Sequence, residues 1–338
     1  MDESNKGWHP GRAARLLAAA VVWVVLIAGA AWAFGALWFD FPHPWLRKIV
    51  AIAFVAALGA VTFFVRPRWR AKIAIALAIT VVMMGWLSLQ PRQFRDWKPE
   101  VARTARAQIE GDIVTFHNVR NFDYRSETDF TPLYETRRLD LRNLRGVDIF
   151  ITYWGSPYMA HPILSFDFGP DGRICFSIET RPEKGESYSA LGGLYRQFEL
   201  IYVVADERDV IRVRSNYRQG EEVYLYRLKA KAALPAFMEY VNMVNELNQT
   251  PRWYNAITNN CTSAIRNQRT ASERAPWDWR MLVNGFGDEL LYQRGAIDNT
   301  LPFAALKRLS HVNERARAAN DAPDFSEKIR AGLPGMDR

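Results

Sequence analysis

The sequence predicts an α+β domain behind three membrane-crossing helices, and three observations point that way. Residues 1–90 contain three apolar runs without a formal charge. The residues after them alternate short Val-, Ile-, Phe- and Tyr-rich segments with Gly-, Pro- and Asp-containing breaks, which is the pattern of strands and turns. From about residue 234 a helical periodicity takes over. A chain of 338 residues has room for both an anchor and a domain of ordinary size.

The apolar runs are Leu16–Phe39, Ile49–Val65 and Ile73–Leu89, and roughly 17–25 apolar residues cross a bilayer as helix. Trp23, Trp32, Trp38, Trp45 and Trp69 lie within or beside them. The first run is too long for a cleaved signal peptide, and two more follow at once. Charge supports the same reading. The chain carries 44 Lys+Arg against 36 Asp+Glu, a net +8, which by itself would suggest nucleic acid. Nine basic and three acidic groups fall within residues 1–90, so that segment holds most of the excess and the rest is nearly neutral. No nucleic acid partner is therefore expected. Lys6, Arg12 and Arg15 precede the first run, and Arg66, Arg68, Arg70 and Lys72 join the second to the third. The positive-inside rule puts both groups in the cytoplasm and everything after Gln90 across the membrane. In a bacterial inner membrane that is the periplasm. The expected division is a three-helix anchor over 1–90, a periplasmic domain over 91–300 and a polar helical tail over 301–338, either surface-lying or poorly ordered.

Strands are expected at Asp112–His117, Val147–Tyr153, Ile163–Phe168, Arg173–Thr180, Phe198–Val204, Val210–Arg214 and Glu222–Leu228. Helices are expected at Leu234–Leu247, from near Asn260, at Ala304–Ala319 and at Phe325–Ala331. The Gly169-Pro-Asp-Gly172 stretch is turn chemistry between two apolar strands, so residues 161–180 read as a hairpin. With side chains alternating, Leu164, Phe166, Phe168, Ile174, Phe176 and Ile178 share one face. The other face collects His161, Ser165, Asp167, Cys175, Ser177 and Glu179 as a polar surface, with His161 and Glu179 near each other away from the turn.

Two cysteines exclude a disulfide-dense scaffold and any multi-cysteine metal site. A Walker A loop, a dinucleotide glycine fingerprint, a G-x-S-x-G elbow and H-E-x-x-H are all missing. No cofactor and no metal are expected. What remains is Cys175, Cys261, His117, His161 and His311. Cys261 follows Asn259 and Asn260, either of which is a good N-cap, so it falls in the first turn of the expected helix. Free N–H groups and the helix dipole there favour a thiolate and can donate to an oxyanion. His161 is then a candidate base and Glu179 the group that holds its ring, the logic of a Cys–His–acid triad. A Cys175–Cys261 disulfide, a structural His161 and a Glu179–Arg181 surface ion pair stay open on residue types alone. His117 and His311 read as structural and solvated, respectively.

The segments His117-Asn-Val-Arg-Asn-Phe-Asp-Tyr-Arg125, Tyr153-Trp154, Ala160-His-Pro-Ile-Leu-Ser-Phe166, Ser177-Ile-Glu-Thr-Arg181, Arg196-Gln-Phe-Glu-Leu200, Asp206-Glu-Arg-Asp209 and Asn259-Asn-Cys-Thr262 together resemble one family. It is the bacterial family of the N-terminal periplasmic domain of Lnb-type lipoprotein N-acyltransferases, and the resemblance covers roughly residues 110–270. It implies a permuted papain-like (NlpC/P60-like) fold with an antiparallel sheet, in which the histidine strand precedes the cysteine helix. It further implies Cys261 as acyl-accepting nucleophile, His161 as base, Glu179 as orienter, and Asn260 and Tyr153 as oxyanion support. The function implied is an inner-membrane-anchored, cysteine-dependent acyltransferase or thiol hydrolase acting on a membrane lipid or lipoprotein through a thioester. A cell-wall amidase or peptidase, and a non-catalytic envelope module with a Cys175–Cys261 disulfide, are the alternatives.

Overall fold

A computed structural model describes residues 10–229, 233–258, 276–281 and 283–336. The chain divides into two compact units, Met1–Gln90 with Leu191–Gln197, and Pro91–Ala190 with Phe198–Arg338.

The first unit contains α1 (Pro10–Asp40), α2 (Arg47–Phe64) and α3 (Arg68–Ser88). All three are long and apolar enough to cross a membrane, and they coincide with the apolar runs. The segment Leu191–Gln197 joins them through Arg196. Its guanidinium donates to the carbonyls of Trp86, Leu87 and Leu89 at 2.8, 3.1 and 2.9 Å and lies over the Trp86 ring. A cation thereby satisfies carbonyls that the end of α3 leaves without helical partners. The Arg196 N–H and Trp86 Nε1 both donate to Asp40 Oδ2, at 2.9 and 2.6 Å.

The second unit is built on a mixed sheet. Its strands are β1 (Arg106–Glu110), β2 (Ile113–Arg120), β5 (Tyr134–Asp140), β6 (Gly146–Trp154), β7 (Ala160–Asp167), β8 (Arg173–Arg181), β9 (Glu199–Ala205) and β10 (Glu221–Arg227). The short strands β3 (Asp123–Tyr124) and β4 (Phe130–Thr131) pair separately. Strand order is β1-β2-β9-β8-β7-β6-β10, with β5 also on β2. Among the described residues only the β2–β9 contact, Arg120 with Ala205, is parallel.

One sheet face carries the expected apolar set. Leu164, Phe166, Phe168, Ile174, Phe176 and Ile178 are buried against Phe237, Tyr240, Val241 and Val244 of α5 (Ala233–Gln249). Helix α5 takes that position because its apolar residues recur at helical spacing on one side.

The opposite face differs from the sequence expectation. It is a second core, with Ile163, Cys175, Phe150, Ile201 and Val203 packed under Val312, Ala316, Phe325, Ile329 and Leu333. The stretch after Pro302 is therefore no surface-lying tail. Its charged residues alternate with apolar ones that bury against the sheet. The polar groups beneath are matched internally: the Ser165 hydroxyl donates to Glu207, and Arg330 donates to Glu207 at 2.6 and 2.8 Å and to Asp148 at 2.9 Å.

The expected strand Val210–Arg214 is helical instead. It runs from α4 (Glu207–Val210) into a π-helical turn, Val213–Tyr217. The Asp206 side chain accepts the Arg208 N–H at 2.7 Å and starts the helix. Val210, Ile211 and Val213 are buried, and a short apolar run fits a buried helix as well as a strand. The helix expected over Ala304–Ala319 breaks into α7 (Phe303–Leu309) and α8 (Asn313–Ala319), after α6 (Gly287–Gln293) and before α9 (Phe325–Lys328). At the break the chain lies along β10: the Leu225 N–H donates to Ser310 O and the Val312 N–H to Val223 O, both at 2.9 Å. Asn313 Oδ1 accepts the Val223 N–H at 2.8 Å. At the other end of the sheet, Asn245 accepts from the Ala107 N–H and donates to its carbonyl, at 2.8 and 2.9 Å.

Candidate functional site

Strands β7 and β8 pair Ile163 with Ser177, and their ladder ends there. Just beyond it His161, Ser177 and Glu179 converge, because alternation puts Ser177 and Glu179 on the same face of β8. His161 Nε2 lies 2.7 Å from Ser177 Oγ, and the Ser177 hydroxyl donates to Glu179 Oε1 at 2.6 Å. The same oxygen accepts Arg214 Nη2 at 2.9 Å. Glu179 therefore reaches His161 through a serine. It is paired with Arg214, not with Arg181, which donates to the carbonyls of Val101 and Ala102 and stacks over Trp97.

Arg214 comes from the π-helical turn, a device that re-aims side chains and recurs at functional sites. Its Nη1 donates to Val210 O at 2.9 Å, which fixes the guanidinium. Four residues on, Arg218 donates to Glu221 at 3.1 Å. Despite burial, the Arg214 charge holds Glu179 well below the usual carboxylate range. His161 is pushed down to about 4, first by burial and then by Arg214 and Arg218, with Glu179 opposing them. The imidazole is thus neutral at physiological pH.

These groups open on a cavity of about 440 Å³. His161, Glu179, Arg214, Arg218 and Glu221 form its polar side, and Trp154, Met159, Ile178, Tyr188 and Tyr254 its apolar side. Asn284 lines it as well and accepts the Ala160 N–H at 2.8 Å, pinning the 284–286 turn beside His161. Gly285 permits this approach: a Cβ there would sit 2.1 Å from Pro157 O.

The other sequence candidates fall elsewhere. Tyr153 is not brought to His161. It points to the other side of β6 from Thr152 and Trp154, donates to Gly285 O at 3.0 Å and accepts from Lys307 Nζ at 3.0 Å. Cys261 and Asn260 lie outside the described residues. Cys175 is a free, fully buried thiol in the second core, so it is not held in the disulfide that the sequence left open. His117 contacts Thr136 and Gln108 on exposed sheet surface. His311, expected to be solvated, pairs with Glu222 and forms a bridge to Tyr224. Among the described residues no group of three or more His, Cys, Asp or Glu side chains could hold a metal.

The motif carboxylates outside the cavity hold the fold. Asp209 binds the buried Arg120 at 2.7 Å and accepts the Phe122 N–H at 2.7 Å, which ties two of the quoted segments together. Sequence reasoning put Ser177 on the right face without a role, and it missed Arg214 and Arg218. Nothing local connects an arginine in a helical turn to a carboxylate 35 residues earlier.

Comparisons with curated proteins and with solved structures return no match. Residues 130–285, which include β7, β8, the π-helical turn and the cavity-lining Asn284, match the family model described as the Lnb N-terminal periplasmic domain.

Proposed function

We propose that this protein is a cysteine-dependent acyltransferase or thiol hydrolase, anchored in the bacterial inner membrane by three spans and working on the periplasmic side. The observation that carries the reading is the His161–Ser177–Glu179–Arg214 chain at the wall of a half-apolar cavity. Cys261 follows Ala256, another cavity-lining residue, by five residues, and five residues of chain reach at most about 18 Å. A neutral imidazole at this wall suits proton transfer, which contributes roughly 10²–10⁴-fold in such steps.

In the reaction, His161 takes the Cys261 thiol proton as sulfur attacks the acyl carbonyl carbon. The S–C bond forms, the bond from that carbon to the departing oxygen or nitrogen breaks, and His161 returns the proton to the leaving group. An acceptor hydroxyl, amine or water then gives its proton to His161 and attacks the thioester; the C–S bond breaks, and His161 returns the proton to the Cys261 sulfur. The three apolar helices and the charge of the 66–72 loop support a lipid or lipoprotein acyl donor. The fold proposed for this chemistry is the permuted papain-like arrangement, supported by the chain order His161, Glu179, Cys261.

The test is mass spectrometry of the full-length chain in membranes after exposure to a fatty-acyl fluorophosphonate probe. A covalent adduct on Cys261 that disappears in Cys261→Ala is expected. Labelling that persists in Cys261→Ala would overturn the assignment, and turnover of soluble muropeptides in place of acyl donors would point to a cell-wall amidase.

A further inference from the structure

Ser177 stands between the two residues that the sequence joins directly. It has one hydroxyl proton and two neighbours able to accept it, Glu179 Oε1 at 2.6 Å and His161 Nε2 at 2.7 Å. Arg214, at 2.9 Å from the same Glu179 oxygen, keeps that carboxylate ionised and without a proton to give. The hydroxyl proton therefore points to Glu179, and the serine oxygen is left as an acceptor. His161 Nε2 must then carry hydrogen, and in a neutral ring Nδ1 is bare. Among the described residues Nδ1 has no hydrogen-bond partner.

We propose that Ser177 is a positioning residue that transmits the Arg214–Glu179 ion pair to His161 as a choice of tautomer, fixing Nε2–H and leaving Nδ1 as the atom that accepts the proton. The catalytic part of this rests on the reading of His161 as base. The tautomer part does not. Ser177 is fully buried and sits at the last pair of the β7–β8 ladder, so its oxygen cannot drift from either partner without moving a strand. His161 Nε2 meets Ser177, and it is Ser177 that meets Glu179. The serine converts its charge into a hydrogen-bond direction.

A directional relay makes opposite demands on two variants. In Glu179→Gln the side-chain oxygen takes the place of Oε1, where it still accepts from both Ser177 Oγ and Arg214 Nη2, so the hydroxyl keeps its direction. In Glu179→Leu that acceptor is gone, the hydroxyl turns to donate to Nε2, and the ring proton moves to Nδ1. The experiment is ¹⁵N spectroscopy of the histidine rings in the full-length chain in nanodiscs, with His161 assigned from His161→Gln. The wild type and Glu179→Gln are expected as the Nε2–H tautomer, Glu179→Leu as Nδ1–H, and the Ser177→Ala/Glu179→Leu double variant without that inversion. Ser177→Thr, which keeps the hydroxyl, is expected to retain Nε2–H. An Nδ1–H ring in Glu179→Gln, an Nε2–H ring in Glu179→Leu, or an inversion that survives in the double variant would overturn the proposal. Acylation of Cys261 gives the second readout, expected to slow about 10²-fold in Glu179→Leu. A tautomer inversion in a chain whose wild type never acylates Cys261 supports the relay and refutes the enzymatic reading.

Discussion

Arg214 and Glu179 meet at 2.9 Å although they come from a π-helical turn and a strand 35 residues apart. Both are largely shielded from water. Arg214→Gln removes the cation that, after burial, does most to lower His161. The His161 titration midpoint, followed by ring NMR, is expected to climb from about 4 toward the ordinary histidine value. An unchanged midpoint would separate the two residues electrostatically.

The same midpoint sets the pH dependence. A base must be unprotonated to work, so Cys261 acylation is expected to hold from neutral pH down to about 5 and to fail as pH falls through about 4. Loss near pH 6.5 would mean an ordinary histidine. Stability follows the same sign. His161 binds its proton more weakly folded than unfolded, so the folded state is favoured above about 6.5 and loses roughly 3 kcal/mol by pH 4. Denaturant melts across that window check it.

Cys175 is expected to be inert. Burial, and then the Glu207 charge, push its thiol well above the usual range. Iodoacetamide on the native chain should leave Cys175 unmodified, and Cys175→Ala should preserve Cys261 labelling. A Cys175-containing disulfide peptide from unreduced digests would contradict the structure.

Arg330→Ala removes the arginine that pairs with buried Glu207 and leaves buried Asp148 with Arg227 at 2.6 Å. Breaking a buried pair from one side costs about 3–5 kcal/mol. Thermal melts should show a large loss, and a small one would mean that the second core tolerates open charge.

Gly285→Ala forces a methyl group onto the Pro157 carbonyl. Moving the 284–286 turn withdraws Asn284 from the Ala160 N–H. A loss of about 2–3 kcal/mol is expected from overpacking, with weaker acylation of Cys261. Normal melting and labelling would show that the turn has room to move.

Much of this was legible in the sequence where the signal is local. The three apolar helices follow from uncharged runs, and the β7–β8 hairpin from alternation around Gly169–Gly172. His161 and Glu179 came together because period two determines which side chains share a face. The losses were long-range. Val210–Arg214 carries an apolar run that does not distinguish strand from buried helix. The residues after Pro302 look polar on average, yet Phe325, Ile329 and Leu333 recur at helical spacing and bury together. The resemblance implies a supporting role for Tyr153, but the alternation along β6 turns it away from Thr152 and Trp154. Strands β1 and β5 went unread because their exposed faces are rich in charge.

The two side-chain amides at the ends of the sheet have a consequence for assembly. Asn245 occupies the main chain of Ala107 on β1, while Asn313 and the 310–312 segment occupy that of Val223 and Leu225 on β10. Exposed edges invite another chain to add a strand, and proteins blunt them to prevent runaway pairing. With β1 and β10 stoppered at these points, a peptide or protein gains little by β-augmentation on either of them. Neither amide lines the cavity, so substitutions around it leave both stoppers in place.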